Sequence, residues 1–247
     1  IMIVYVVVAI VLSYLIWIKC IYCRQRPTLV KSLKRAINVL TSREINGDDI
    51  SALLVTAHPD DECMFFAPTI IRLVELKANV HLLCLSEGNY YNQGAQRRQE
   101  LLNSCAVLGI PDCRITIVDH KKLPDDPKAE WSVSLVSSVI VHHMRAHSFN
   151  MVLTFDESGV SSHANHTAIH KALRKYISFL ELPFSWLQPA CLRCIIGSQG
   201  YRRAKDAMFC HRSQLLWFRY LYITFSRYMF VNTFQTIPQG PKNLKMY

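Results

Sequence analysis

The sequence predicts an α/β protein with a Rossmann-like, mostly parallel sheet and helices on both faces, preceded by one N-terminal transmembrane helix. Two observations support this fold class. Strand-like and helix-like segments alternate from residue 51 onward, and the first 18 residues, IMIVYVVVAIVLSYLIWI, contain no charged side chain. Alternation of this kind is typical of right-handed βαβ units, which build a parallel sheet covered by helices.

The apolar segment at residues 1–18 is predicted to be a retained single-pass membrane anchor. As a helix it is about 27 Å long, just enough for the hydrocarbon core of a bilayer. No small-residue cleavage site follows it, and residues 19–43 carry seven Lys/Arg and no acid. By the positive-inside rule, these basic residues place the rest of the chain in the cytosol. Residues 19–50 are therefore predicted to be a basic juxtamembrane linker.

Four buried strands and four helices are predicted to follow the linker. Continuous apolar runs of strand length predict the strands, and amphipathic spacing predicts the helices. Gly109 and Pro111 mark the end of the second helix. The predicted strands are 51–57, 80–86, 114–119 and 151–156, and the predicted helices are 67–78, 96–109, 132–147 and 161–180.

Polar clusters rich in His and Asp follow the first and the fourth predicted strands. The first cluster is HPDD (58–61) and the second is DESGVSSHANH (156–166). In open α/β sheets ligands bind beyond the carboxyl ends of the strands, so both clusters are expected at one rim. One His and one carboxylate from the first cluster with one His from the second would suit a divalent metal, and Zn²⁺ is the ion expected in a hydrolase. For HPDD alone, a helix-capping role of Asp60 or Asp61 is the alternative.

The charge distribution favours a membrane surface as the partner over nucleic acid. The net charge is +10, but residues 44–192 carry twelve bases and seventeen acids, so the excess of basic residues lies in the two flanks. We therefore expect no nucleic-acid partner. Within the second flank, LLWFRYLYITFSRYMF (215–230) combines seven aromatic residues with two arginines. This pattern predicts either a buried helix or a patch at the membrane interface.

The motif AHPDDE after an apolar strand, with HANH after a later one, closely resembles the PIG-L (LmbE-like) family of zinc-dependent deacetylases. The resemblance extends through GNYYNQG, FDESGVSSHANH and AMFCHRSQLLWFRYLYITFSRY. It implies a deacetylase domain over residues 51–235 and a tail over 236–247. It also implies hydrolysis of the N-acetyl group of GlcNAc-phosphatidylinositol, an early step of GPI-anchor biosynthesis, at the endoplasmic-reticulum membrane with the catalytic domain facing the cytosol.

The family pattern implies a role for five residues of the two clusters. It implies that His58, Asp61 and His166 are the ligands of Zn²⁺, with another divalent metal also possible. It implies that Asp60 is the general base. His163 matches the histidine that stabilises the developing oxyanion, and it is a candidate proton donor to the leaving amine.

Two further segments match family motifs that contact substrate. Arg97 and Glu100 match an R-x-x-E pattern at the start of a helix, which implies contact with sugar or phosphate; an exposed helix face is the alternative. Asn89 and Tyr90 lie in GNYYNQG (88–94), which predicts either a loop that binds the sugar or a plain loop.

One departure from the family pattern leaves a second function open. In the family a further loop and strand separate the helix after HxxH from the segment that resembles LRKYISFLELP, whereas here HTAIHKALRKYISFL runs straight through. The alternative is therefore a catalytically impaired, membrane-bound relative that binds the sugar-lipid without turnover. His211 and Gln214 also match a family motif, but no role is assigned to them.

Overall fold

The computed structural model describes residues 50–126, 129–180 and 192–234, together with Tyr5, Ala9, Leu12, Ser13 and Ile16. The strands are β1 (Ser51–Thr56), β2 (Asn79–Cys84), β3 (Ile115–Ile117), β4 (Met151–Leu153), β5 (Leu192–Ile195) and β6 (Val231–Phe234). The helices are α1 (Asp61–Phe65), α2 (Ala67–Glu75), α3 (Gly94–Leu108), α4 (Val133–Ala146), α5 (Gly159–Ser162), α6 (Ala164–Leu180), α7 (Ser198–Cys210) and α8 (Trp217–Phe225).

The central sheet is parallel and has the strand order β3-β2-β1-β4. Leu54 in β1 lies opposite Leu82 in β2 and opposite Leu153 in β4, and all three side chains are buried. Strands that are covered on both faces have continuous apolar sequences, and such sequences predicted these strands. The predicted parallel α/β sheet is confirmed.

The order of the strands explains where the helices lie. The chain moves outward from β1 to β2 to β3 and then returns across β1 to form β4. Right-handed crossovers place α2 and α3 on one face of the sheet and α4 on the other. Helix α7 packs on α2 and α3, and α6 packs on α4 and β1. The direction of winding thus reverses between β1 and β4, and a crevice forms there at the carboxyl ends of the strands.

A second, antiparallel pair of strands joins β5 to β6. Its register places Cys194 opposite Asn232. The buried Asn232 side chain ties the pair to the region after β1, because its Oδ1 accepts a hydrogen bond of 2.7 Å from the Thr69 hydroxyl and its Nδ2 donates one of 2.7 Å to the Phe65 carbonyl. The sequence analysis did not predict this pair.

Several predicted segments lie wholly or mostly outside the described residues. They are the anchor over 1–18, of which five helical and exposed residues are described, the linker over 19–50 and the tail over 236–247. Within the part of the chain that the structure describes, no helix has the length and apolar character needed to cross a membrane. The predicted helix over 161–180 is divided at His163 into α5 and α6, and α6 then runs unbroken to Leu180. Residues 181–191 also lie outside the description.

Candidate metal and catalytic site

The two polar clusters meet at the crevice between β1 and β4. His58 follows β1 and His166 lies in the first turn of α6, and their ring centroids are 5.6 Å apart. Asp61 lies between them, with Oδ1 3.3 Å from His166 Nε2 and Oδ2 3.9 Å from His58 Nδ1. One ligand atom from each of the three buried residues lies within 4.8 Å of the others. The prediction that the two clusters lie together at one rim of the sheet is therefore confirmed.

The hydrogen bonds around these residues fit a divalent metal. Asp61 Oδ2 accepts the backbone N–H groups of Ala57 at 2.9 Å and His58 at 2.8 Å, which leaves Oδ1 directed at His166. His166 Nδ1 donates to the Gly159 carbonyl at 3.1 Å, and its buried Nε2 has no hydrogen-bond partner among the described residues. This tautomer leaves a lone pair on Nε2 for a metal. Two imidazoles and one carboxylate suit Zn²⁺ with an open coordination position.

The electrostatics of His58 and Asp61 favour the protonation states that a metal requires. Burial lowers the pKa of His58 to about 4, although the nearby charges of Asp61 and Asp125 oppose the shift. Burial alone would raise the pKa of Asp61, but the charges of His166 and His58, together with the backbone hydrogen bond from His58, hold that pKa well below its usual range. At neutral pH His58 therefore offers a neutral imidazole and Asp61 an ionised carboxylate. Burial alone would lower the pKa of His166, but the charge of Asp61 raises it, so a metal at His166 competes with a proton.

Asp60 differs from Asp61 in both backbone conformation and partners. Its φ of 115° lies in the left-handed region, which is rare for a residue other than glycine. The Asp60 N–H donates to Glu62 Oε2 at 3.1 Å, and Arg219 Nη2 donates to Asp60 Oδ2 at 2.9 Å. Burial raises the pKa of Asp60 to about 6, against the opposing charge of Arg219.

The helix-capping alternative for HPDD is wrong. Asp60 stands at the N-cap position of α1 but makes no side-chain hydrogen bond to the helix. The Asp61 carboxylate accepts its backbone hydrogen bonds from Ala57 and His58, which precede the helix. Neither aspartate satisfies a free N–H of the first turn, so a cap does not explain their position.

His163 stands at the edge of the same cluster. Its ring centroid is 5.0 Å from that of His58 and 4.8 Å from that of His166, and its side chain is half-buried. Burial and the neighbouring His166 lower its pKa. The Asn165 N–H donates to Nδ1 at 3.4 Å, so the proton of a neutral His163 lies on Nε2. This arrangement leaves Nε2 as a hydrogen-bond donor.

Arg97 and Glu100 are both buried, so the exposed-helix-face alternative is wrong for them. Arg97 donates to the Pro59 carbonyl at 2.8 Å and to the Gly88 carbonyl at 3.1 Å, and so fastens the GNYYNQG segment to the first cluster. Glu100 accepts the N–H of Ser213 at 2.9 Å and its hydroxyl at 2.5 Å. Contact of Arg97 or Glu100 with substrate stays a prediction.

The GNYYNQG segment is an irregular loop that leads into α3. Asn89 Oδ1 accepts the N–H of Gly94 at 3.0 Å and thereby closes the loop. Tyr90 is 48% exposed and makes an edge-to-face contact with Tyr91, which is more exposed. The loop therefore presents two aromatic rings to solvent, and sugar binding by Asn89 and Tyr90 stays a prediction.

Asp125 and Asn165 also contact the cluster, and the sequence analysis missed both. Asp125, in the loop between β3 and α4, lies 3.1 Å from His58 Nε2 through Oδ1 and accepts a 2.6 Å hydrogen bond from Arg97 through Oδ2. Asn165 Nδ2 lies 3.0 Å from His58 Nε2. Asp125 lies in the loop that follows β3. The rule that ligands bind beyond the carboxyl ends of the strands (the strand-end rule), applied to every strand, would have pointed to this loop.

Glu62, the third acid of AHPDDE, forms a buried ion pair with His211. His211 Nε2 lies 2.7 Å from Glu62 Oε1, and the Ser104 hydroxyl donates to the same oxygen at 2.5 Å. Both side chains are fully buried. Burial alone would lower the pKa of His211, but the charge of Glu62 raises it. Since the second Glu62 oxygen holds the Asp60 N–H, this pair connects His211 to the catalytic cluster.

Replacing Gly159 with alanine is expected to weaken metal binding by about 10–100-fold. Gly159 has a φ of 61°, and an added Cβ would lie 2.9 Å from the Cβ of His166. The carbonyl that orients His166 would shift. Metal affinity can be measured by competition with a chelator. Gly109→Ala is the matched control, because Gly109 also has a positive φ of 93° but caps α3; an equal loss in both variants would contradict the prediction.

Comparison with known proteins agrees with this geometry. The family described as GlcNAc-PI de-N-acetylase (PIG-L) matches residues 53–177. An N-acetylglucosaminyl-phosphatidylinositol de-N-acetylase of Bos taurus is 44% identical over 211 residues, covering 76% of this chain and 83% of the relative. A probable enzyme of the same name from Schizosaccharomyces pombe is 34% identical over 207 residues, covering 72% of this chain and 84% of the relative.

Solved structures show the same fold. The N,N'-diacetylchitobiose deacetylase from Pyrococcus horikoshii superposes with a TM-score of 0.60 at 17% identity, covering 83% of this chain and 91% of that one. A conserved protein from Thermus thermophilus superposes with a TM-score of 0.58 at 15% identity, covering 80% of this chain and all of that one.

Proposed function

This chain belongs to the PIG-L family, and we propose that it hydrolyses the N-acetyl group of GlcNAc-phosphatidylinositol to give glucosaminyl-phosphatidylinositol and acetate. The observation that carries the proposal is the buried His58–Asp61–His166 group, with Asp60 and His163 beside it. The substrate is the one for which the relatives from Bos taurus and Schizosaccharomyces pombe are named. The reaction would serve an early step of GPI-anchor biosynthesis.

His58, Asp61 and His166 would hold the metal, for which Zn²⁺ is our first choice and another divalent ion is the alternative. When bound, such an ion polarises the acetyl carbonyl and lowers the pKa of a water molecule. The hydrogen bonds to Asp61 and His166 fix both side chains before the metal arrives. A preorganised site of this kind needs little rearrangement on binding.

Asp60 and His163 would move the protons of the reaction. Asp60 accepts a proton from the attacking water, whose oxygen bonds to the acetyl carbon. His163 donates a hydrogen bond to the oxygen that becomes negative, a contribution usually worth about 10²–10³ in rate. The C–N bond then breaks, and the protonated Asp60 gives its proton to the amine, while His163 keeps its Nε2 proton as a hydrogen-bond donor. The products are acetate and the free amino sugar.

The loop at 88–94 would bind the sugar and its phosphate. Tyr90 offers an exposed ring for stacking on a sugar face, and the side-chain amide of the neighbouring Asn89 would donate to sugar hydroxyl groups. Arg97 would contribute a positive charge close to His58 and Asp125. Glu100 would act through Ser213, because both of its oxygens accept hydrogen bonds from that residue.

We place the protein at the endoplasmic-reticulum membrane, with residues 1–18 as a single-pass anchor and the deacetylase domain over 51–235 in the cytosol. The support is the uncharged segment at 1–18, the seven basic residues that follow it, and a substrate class that resides in a bilayer. A relative that binds the sugar-lipid without turnover is not favoured, because the residues proposed to bind the metal and His163 lie together in one cluster.

The proposal is tested by metal analysis of the full chain in detergent, combined with an assay of acetate release from GlcNAc-phosphatidylinositol. We expect the purified chain to contain a divalent metal, a chelator to abolish turnover, and Zn²⁺ to restore it. Substrate that is already deacetylated is the control and should release no acetate. Undiminished turnover after the metal has been removed would contradict the proposal.

A further inference from the structure

Helix α8 exposes a continuous aromatic face, which consists of Trp217, Phe218, Tyr220, Leu221 and Phe225. Trp217 is 75% exposed and Phe225 is 79% exposed. Apart from Tyr90 and Tyr91, all large exposed apolar residues that the structure describes between residues 50 and 234 fall between Phe209 and Phe230. The buried-helix alternative for the segment 215–230 is therefore wrong, and the concentration of apolar surface in one place requires an explanation.

The opposite face of α8 is bound to the catalytic region. Ile223 is buried, and the Tyr222 hydroxyl donates to the Met64 carbonyl at 2.8 Å. Arg219 donates to the Asp60 carboxylate at 2.9 Å. The aromatic face is therefore separated from Asp60 by the thickness of one helix, about 10 Å. Its position relative to the site is fixed by these contacts.

The segments that flank α8 in the sequence are cationic. Arg212 and Arg227 are exposed on either side of α8 in sequence, and Lys205 lies over the ring of Phe209 at 5.7 Å from its centroid. No Asp or Glu follows Asp206 in the sequence. Aromatic residues flanked by Arg and Lys, without acids, are the composition of a surface that binds a bilayer with anionic lipids.

We infer that the aromatic face of α8 docks on the bilayer that carries the substrate. The inference rests on the proposed function for the identity of that bilayer, since phosphatidylinositol is an anionic lipid. The rings enter the interface and the arginines meet lipid phosphates. Because Arg219 and Tyr222 tie the same helix to Asp60 and Met64, docking sets the catalytic cluster about one helix diameter above the lipid headgroups.

The first test measures where Trp217 lies in the full chain reconstituted in vesicles of phosphatidylcholine and phosphatidylinositol. Lipids with a spin label near the headgroup are expected to quench the fluorescence of Trp217 more strongly than lipids labelled deep in the acyl chain. The signal of the other three tryptophans is removed by subtracting the spectrum of Trp217→Phe. A Trp217 contribution that neither label quenches would overturn the inference.

The second test separates docking from chemistry. The variant Trp217→Ser/Leu221→Ser/Phe225→Ser removes exposed side chains only, so its melting temperature should match that of the parent chain. We expect its kcat/KM to fall about tenfold or more on vesicle-borne substrate and to stay unchanged on a water-soluble analogue without acyl chains. Trp217→Phe/Leu221→Met/Phe225→Trp, which keeps the face apolar, should retain activity on both substrates.

The outcomes distinguish this inference from the proposed function. If the parent chain hydrolyses neither substrate, the proposed function fails while the quenching of Trp217 still reports on docking. If the serine variant hydrolyses vesicle-borne substrate as fast as the parent chain, the docking surface is wrong although the chemistry stands. If the variant is impaired only in membranes that contain other proteins, the face binds a protein partner and the bilayer assignment is overturned.

Discussion

Replacing Asp60 with asparagine is expected to lower kcat on GlcNAc-phosphatidylinositol by about 10²–10⁴ while leaving the metal in place. The amide cannot accept a proton from water, whereas the proposed metal ligands His58, Asp61 and His166 are untouched. Asparagine is also the least disturbing replacement, because Asp60 has a φ of 115° and asparagine tolerates positive φ better than most residues. The measurements are acetate release and metal content of the same purified sample.

Two further variants make this prediction specific. Asp61→Asn is expected to lose both metal and activity, since Asp61 directs Oδ1 at His166. Glu75→Gln removes an equal charge from a half-exposed ion pair with Arg72 and is expected to change neither. An Asp60→Asn variant that turns over at the parental rate would rule out Asp60 as the general base. Loss of metal from that variant would contradict the division of roles between the two aspartates.

The parallel sheet and the position of the site could be predicted because both depend on local sequence patterns. Apolar runs of strand length predicted β1 and β2 nearly to the residue, since those strands are buried on both faces. The strand-end rule then brought His58 and His166 together across 108 positions of sequence. The conformation that separates Asp60 from Asp61 was not predictable, because a positive φ at an aspartate follows from the surrounding contacts rather than from composition.

The parts of the structure that the sequence did not predict depend on contacts between distant residues. Strands β5 and β6 are only four residues long, and Asn232 reaches Thr69 across 163 positions of sequence. Arg97 and Glu100 are residue types that are mostly exposed, so their burial could not be expected without the Pro59 and Ser213 contacts. The role of Glu62 was missed for the same reason, since its partner His211 lies 149 positions away in the sequence.

Replacing His211 with alanine is expected to destabilise the fold by about 3–5 kcal/mol, because it leaves the carboxylate of Glu62 buried without its counter-charge. Ser104 and the Asp60 N–H remain as hydrogen-bond donors, but neither carries a charge. In a domain of this size the loss corresponds to a decrease in melting temperature of roughly 6–20 °C. Thermal unfolding of the full chain in detergent measures it. A melting temperature within about a degree of the parent chain would contradict the prediction.

The double variant Glu62→Met/His211→Leu distinguishes stability from positioning. Replacing both members of a buried ion pair by apolar residues of similar size is often nearly neutral, so the melting temperature should largely recover. Activity should not recover, because Glu62 Oε2 also holds the N–H of Asp60 in its left-handed conformation. We therefore expect a stable protein with metal bound and a lowered kcat. Recovery of both stability and kcat would show that the ion pair only fills the core and does not orient the general base.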